Sequence, residues 1–495
     1  MTGHEGPPIA AIIGSGVIGG GWAARFLLSG WDVRIFDPDT GAPSKIEALL
    51  DQARASLPGI YDAPLPDEGT LQFSATLSEA VAGAGWIQES VPERLELKQK
   101  VYQTIQATCD DGAVIASSTS GFKPSDLQSC ASRPRQILVA HPFNPVYLLP
   151  LVELVGTRDN GDLIAHAAQI LREIGMFPLQ VRAEIDAHIA DRFLEAVWRE
   201  ALWLIKDGVA TTEEIDEAIR MGFGLRWGQM GLFETYRIAG GEAGMRHFIS
   251  QFGPALKWPW TRLMDVPELD TELVDQIAAQ SDAQAAGASI GSLERRRDAN
   301  LVAMLRALKY RGQAAGAVLR EHDQRLLAQS NVAATFEDLT KIDQPLLMLD
   351  RAVPSDWTDY NGHMNEAKYL QAFGDATDRF MWVIGCDDAY IQSGGSYFTA
   401  ETHIRHLDEA RAGARITVHT QILQGEGKKL HLFHVMRSGA RVLATGEHFL
   451  LHVSLATRRP APPSAEILDK LSRIAQAHER LEMPDGAGRA VGQRP

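Results

Sequence analysis

The chain has 495 residues, room for about three domains at the usual ~150 residues each, and its 45% hydrophobic and 22% charged content excludes a disordered or fibrous protein. With 63 acidic against 48 basic residues the net charge is -15, which argues against nucleic acid and anionic membranes as partners. No apolar run reaches the ~18 residues of a membrane span, and MTGHEGPP lacks the basic and apolar regions of a signal peptide, so a cytoplasmic protein is expected.

IAAII at 9–13, then GSGVIGGGWAARFLLSG, then WDVRIF predict strand, glycine turn, helix and strand, with Gly30 as the helix stop. A helix is expected over 43–56. Strands follow at 85–90 and 113–117 with helical ERLELKQKVYQTI between them, and another lies within 136–145. Such alternation implies a mostly parallel, doubly wound sheet. From about residue 187 the spacing of apolar residues turns helical, first in HIADRFLEAVWREALWLIKDG and then in TTEEIDEAIRMGFG, capped by Thr211 or Thr212. Helical character runs to about residue 329. One helix (366–384) and the runs GSYFTAETHIRHL, ARITVHTQILQ, KKLHLFHVMR and RVLATGEHFLLHVS then predict an α+β unit. A last helix (464–481) precedes a dozen residues expected to be disordered. The expected division is 1–186, 187–329, 330–457 and 458–495.

Gly14-Ser15-Gly16-Val17-Ile18-Gly19 lies between a strand and a helix. Gly14 permits the tight turn, Gly16 lets backbone approach a pyrophosphate, and Gly19 lets helix and strand pack closely. The helix N-terminus adds amides and a positive dipole. Asp37 closes the next strand 23 residues after Gly14. A carboxylate there accepts both ribose hydroxyls and repels a 2′-phosphate, so the expected cofactor is NAD on a Rossmann sheet. A second pattern is His141-Pro-Phe-Asn144-Pro with Glu153 twelve residues on. Alcohol oxidation needs a base for the hydroxyl proton, and a carboxylate fixes the imidazole tautomer and stabilises the imidazolium. Following a strand, His141 is expected at the carboxyl edge of the sheet, where ligands bind.

Through these motifs, together with IQESVPERLELKQ and SSTSGF, residues 8–320 resemble the 3-hydroxyacyl-CoA dehydrogenase superfamily. The resemblance implies that Ser120 hydrogen-bonds the substrate hydroxyl, that His141 and Glu153 form the catalytic pair, and that Glu89 lies near the nicotinamide. Asn144 is a substrate-side candidate. Where the family has asparagine early in the first long helix of its second domain, this chain has Asp191, which either favours a cationic substrate or pairs with Arg192.

MGFGLRWGQMGLFETYRIAGG is similar to the branch of that superfamily acting on carnitine and L-gulonate. Trp198, Trp203, Trp227, Trp258 and Trp260, with Phe223, Phe233 and Tyr236, are either helical core or a cage for a quaternary ammonium. Lys123, Arg192 and Arg226 are candidates for a substrate carboxylate.

Asp359-Tyr-Asn-Gly362-His363-Met-Asn365 precedes the helix at 366. Over about 345–455 the chain resembles hot-dog thioesterases of the 4-hydroxybenzoyl-CoA type. The resemblance makes Asp359 the catalytic carboxylate, with amides near Gly362 for the oxyanion and His363 and Asn365 orienting them. A turn with an aspartate cap is the plainer reading. The fusion implies carnitine and an acyl-CoA thioester, betainyl-CoA, as substrates of a homodimer. The alternative is a dehydrogenase of another 3-hydroxy acid, L-gulonate or a 3-hydroxyacyl-CoA, carrying a non-catalytic hot-dog module. Cys109, Cys130 and Cys386 form no close pair. His403 and His406, like His431 and His434, fall on opposite strand faces, so no metal is expected.

Overall fold

A computed structural model describes residues 6–239, 242, 244–252, 261–262, 268 and 270–489. The chain forms two compact units, one of residues up to 50 with 68–319, the other of 51–67 with 320 onward.

The first unit is built on a sheet of β1 (Ile9–Ile13), β2 (Asp32–Phe36), β3 (Leu71–Phe73), β4 (Trp86–Glu89), β5 (Val114–Ser117), β6 (Ile137–Pro142), β7 (Leu151–Val155) and β8 (Phe177–Val181). Their order is β3-β2-β1-β4-β5-β6-β7-β8. β4, β5 and β6 are buried throughout; β5 and β6 accordingly begin with apolar runs, while β4 carries the buried polar pair Gln88 and Glu89. Sequence patterning missed the short β3 and the outer pair β7 and β8. β7 runs antiparallel to β6, with only eight residues between them, too few for a parallel crossover.

The helical part starts at Ala190 rather than 187, because Ala187 and His188 hold left-handed backbone (φ 60° and 51°). The helix Ala190–Lys206 follows. Thr211 caps the next, Thr212–Ala218, in a reciprocal box with Glu214. Tyr147, just beyond β6, ties this part to the sheet, its hydroxyl donating to buried Asp298 at 2.5 Å.

In the second unit β9 (Leu346–Ala352), β10 (Gly395–His406), β11 (Arg415–Glu426), β12 (Lys429–Ser438) and β13 (Arg441–Ser454) form an antiparallel sheet in the order β10-β13-β12-β11-β9. The two-residue β14 (Arg459–Pro460) pairs with β13. The helix Glu366–Ile384 packs on this sheet through Tyr369, Phe373, Ala376 and Phe380, and Gly385 stops it at φ 97°. A single helix in a curled antiparallel sheet is the hot-dog arrangement. The last helix spans Ala465–His478, and beyond it Glu447 accepts the Gly488 amide while Arg405 meets Asp485.

Residues 51–67 belong to this unit through Arg351. Its guanidinium is buried, 2.7 Å from the Asp62 carboxylate, hydrogen-bonded to the Tyr61 carbonyl and 4.5 Å over the Trp357 ring. No described helix is long and apolar enough to cross a membrane.

Candidate active sites

The glycine turn is shaped for close backbone approach. Gly14 has φ +93°, and a side chain there would meet the Ser90 carbonyl at 2.7 Å; one on Gly19 would meet the Gly14 carbonyl at 1.8 Å. Gly16 differs, because nothing lies within 4 Å of where its Cβ would be. It opens the helix Val17–Leu27 without a side-chain cap, so the first amides remain available. Ser15, in the same turn, is buried, Ile18 is half-buried, and Val17 stands out to solvent. Asp37 closes the cradle, accepting from the Ser15 amide at 2.6 Å, its hydroxyl at 2.7 Å and the Asp39 amide at 2.8 Å. Burial alone raises the Asp37 pKa, but these hydrogen bonds outweigh it and hold the carboxyl below the usual range.

The β6–β7 pairing sets His141 directly opposite Glu153 on one face, the register that brings side chains together. His141 Nδ1 lies 3.0 Å from Glu153 Oε2, and its Nε2 lies 3.3 Å from Ser120 Oγ. The other Glu153 oxygen accepts the Ile189 amide at 2.8 Å and the Ala190 amide at 2.9 Å. Burial raises the Glu153 pKa, but His141 and the two amides prevail and hold it low. Glu153 is therefore anionic and fixed, and it holds His141 with Nε2 facing the substrate side.

Neither His188 nor Glu93 was expected here. The left-handed turn at Ala187–His188 aims the next two amides at Glu153. The buried His188 ring lies 5.6 Å from that of His141 and bonds the Thr119 carbonyl at 3.3 Å. Burial pushes the His188 pKa down, so it is neutral. Glu93 accepts the Thr119 hydroxyl, so the loop carrying Ser120 is held from two sides. Glu89, the acid singled out in IQESVPERLELKQ, is fully buried at the end of β4 and accepts Lys98 at 2.9 Å, Tyr102 at 2.5 Å, Ser117 at 2.7 Å and the Val91 amide at 2.8 Å.

Asn144 is exposed and makes no side-chain hydrogen bond among the described residues. Asp191 does join the site, with Oδ2 3.6 Å from His141 Nε2. Burial raises its pKa, against the pull of His141. Lys123 pairs with Asp186 at 3.0 Å, and Arg192 and Arg226 are exposed. Among the described residues, several of the aromatic side chains pair locally. Trp227 meets Phe223, Tyr236 stacks on Phe248, and Trp203 lies under Arg262 and Lys206. Trp198 and Phe233 are exposed, and Trp258 and Trp260 lie outside the described residues.

In the second unit, residues 359–363 make a tight turn just before the helix. The Asp359 amide donates to the His363 carbonyl, and the Gly362 amide (φ +77°) to the Asp359 carbonyl. The Gly362 amide is thus engaged within the turn. Asp359 Oδ1 accepts the Asn361 amide at 2.8 Å; Oδ2 has no partner among the described residues. Asn365 caps the helix through the Ala367 amide, and His363 Nε2 lies 3.4 Å from Glu409. His403 and His431, from different strands, line one surface cavity of about 520 Å³ with Glu401 and Glu447, a juxtaposition that spacing within one strand cannot reveal. No group of three metal-binding side chains occurs among the described residues.

Residues 9–185 match the family "3-hydroxyacyl-CoA dehydrogenase, NAD binding domain", 188–278 its C-terminal domain and 353–471 the thioesterase-like superfamily. A protein of Ruegeria pomeroyi named L-carnitine dehydrogenase/betainyl-CoA thioesterase is 68% identical, covering 97% of this chain and 99% of its own. The L-carnitine dehydrogenase of Mesorhizobium japonicum is 55% identical, covering 66% of this chain and 92% of its own. Among solved structures, the 5-formyl-3-hydroxy-2-methylpyridine 4-carboxylic acid 5-dehydrogenase, an NAD+-dependent dismutase, is 26% identical with a TM-score of 0.52, covering 61% of this chain and 99% of that one.

Whether Glu89 serves the core or the cofactor has a direct test. Glu89→Ala leaves Lys98 buried beside an emptied site, so the protein should lose about 3 kcal/mol of stability in denaturant titration. The folded variant should keep its dinucleotide affinity; a large loss of affinity at unchanged stability would return Glu89 to the cofactor.

Proposed function

Because the chain belongs to the family of L-carnitine dehydrogenase/betainyl-CoA thioesterases, we propose that it oxidises L-carnitine to 3-dehydrocarnitine and hydrolyses betainyl-CoA. The Ser120–His141–Glu153 arrangement carries the first activity. Ser120 positions the substrate hydroxyl, and His141 Nε2 takes its proton as the C–H bond breaks and the C=O bond forms. Glu153 stabilises the resulting imidazolium while the Ile189 and Ala190 amides hold the carboxylate still. NAD+ supplies the hydride acceptor. The open space over Gly16, the free amides of its helix and Asp37 are suited to hold it.

The free Asp359 oxygen, in a turn that leads into a helix N-terminus, supports a base or nucleophile for the thioester, the thiol of coenzyme A leaving as the acyl carbon gains the water oxygen. The engagement of its other oxygen within the turn supports the rival reading of a non-catalytic module. A cytoplasmic homodimer completes the proposal. Phe193, Leu194, Val197 and Trp198 form an exposed apolar stripe on the helix Ala190–Lys206, the kind of patch that a second copy covers.

His141→Ala should lower carnitine turnover by about 10²–10⁴-fold with NAD+ binding intact; normal turnover would remove it as proton acceptor. Asp359→Ala should abolish betainyl-CoA hydrolysis and leave the dehydrogenase rate unchanged, whereas continued hydrolysis would favour the non-catalytic module. Sedimentation should give twice the chain mass of 54.2 kDa, and a single-chain mass would refute the dimer.

A further inference from the structure

Asp191 is the charged group at the proton-accepting nitrogen that the mechanism above does not use. It opens the helix Ala190–Lys206, its side chain is only 20% exposed, and Oδ2 lies 3.6 Å from His141 Nε2. No lysine or arginine pairs with it among the described residues, and Arg192, its neighbour in sequence, is exposed. His188 brings no positive charge to the pocket, because burial keeps its ring neutral. Glu153, on the far side of His141, is already saturated by His141 and two amides. The substrate side of His141 therefore carries a carboxylate with no fixed cation of the protein's own.

The substrate hydroxyl must come within about 3 Å of Nε2 to give up its proton. In a 3-hydroxy acid with a trimethylammonium group on the adjacent carbon, two bonds separate the hydroxyl-bearing carbon from the cationic nitrogen. A hydroxyl docked on His141 thus carries its ammonium into the reach of Asp191. We propose that Asp191 is the counter-anion that selects a quaternary ammonium substrate, a role that rests on the carnitine reading above. A quaternary ammonium donates no hydrogen bond, so recognition needs only a nearby negative charge in a partly desolvated pocket. The cationic preference then comes from this carboxylate.

The test compares L-carnitine with its uncharged tert-butyl isostere, in which carbon replaces the ammonium nitrogen. The wild-type enzyme should favour carnitine strongly in kcat/KM. Asp191→Asn should cut that preference about 30-fold or more, chiefly by raising KM for carnitine, with a clearly smaller loss for the isostere. Asp191→Glu should keep much of the preference, which shows that charge rather than fold is being read. Calorimetric binding of the two deoxy analogues, which cannot react, should show the same loss for the cationic one alone. An equal loss for both substrates would make Asp191 a partner of His141 and overturn the proposal, as would a preference that survives Asp191→Asn. A wild-type enzyme that does not oxidise carnitine would overturn the substrate reading and the role of Asp191 with it.

Discussion

The dehydrogenase site depends on one carboxylate held from two directions. Glu153 receives His141 across a strand pair on one oxygen and the start of a helix on the other. That bond network joins sheet to helical segment and sets the tautomer of His141. It also explains the strained backbone before the helix. Two consecutive residues in left-handed conformation cost energy, and here that cost points two amides at a buried anion that would otherwise be under-solvated.

Much of this was legible in the sequence because its chemistry is local. The glycine turn needs specific residues at fixed spacing, and Gly14, Gly16, Gly19 and Asp37 lie where the dinucleotide pattern puts them. The pairing of His141 with Glu153 was also legible, although its cause was not. The two meet because β7 folds straight back on β6, and a five-residue strand behind a proline-rich loop gives little periodic signal. The fold of the second unit was legible too, since long alternating strands and one amphipathic helix leave few ways to bury their apolar faces.

What stayed hidden depended on direction rather than composition. Glu89 and Glu93 stand four residues apart in one motif, but Glu89 ends the buried strand β4 while Glu93 lies in the loop beyond it, where it meets the Ser120 loop. The tryptophans were numerous enough to suggest a cage, but number does not set orientation, and one of them already lies under the protein's own cations. His188 carried no signal at all, because its contribution lies in its backbone angle and in a ring wedged against His141.

The burial of Arg351 on Asp62 bears on how such a two-activity chain can be taken apart. The hot-dog unit is discontinuous in sequence: a short excursion from near residue 60 supplies the nearer of two carboxylates and the carbonyl that accommodate a cation in its interior. A gene cut once between the two catalytic regions would hand the downstream fragment a guanidinium left with Asp375 at 3.8 Å and without its closer partners. The fusion is therefore interleaved rather than serial. A lineage that separated the activities would have to replace Arg351 or supply a substitute for the missing segment before the thioesterase half could stand as an independent gene product.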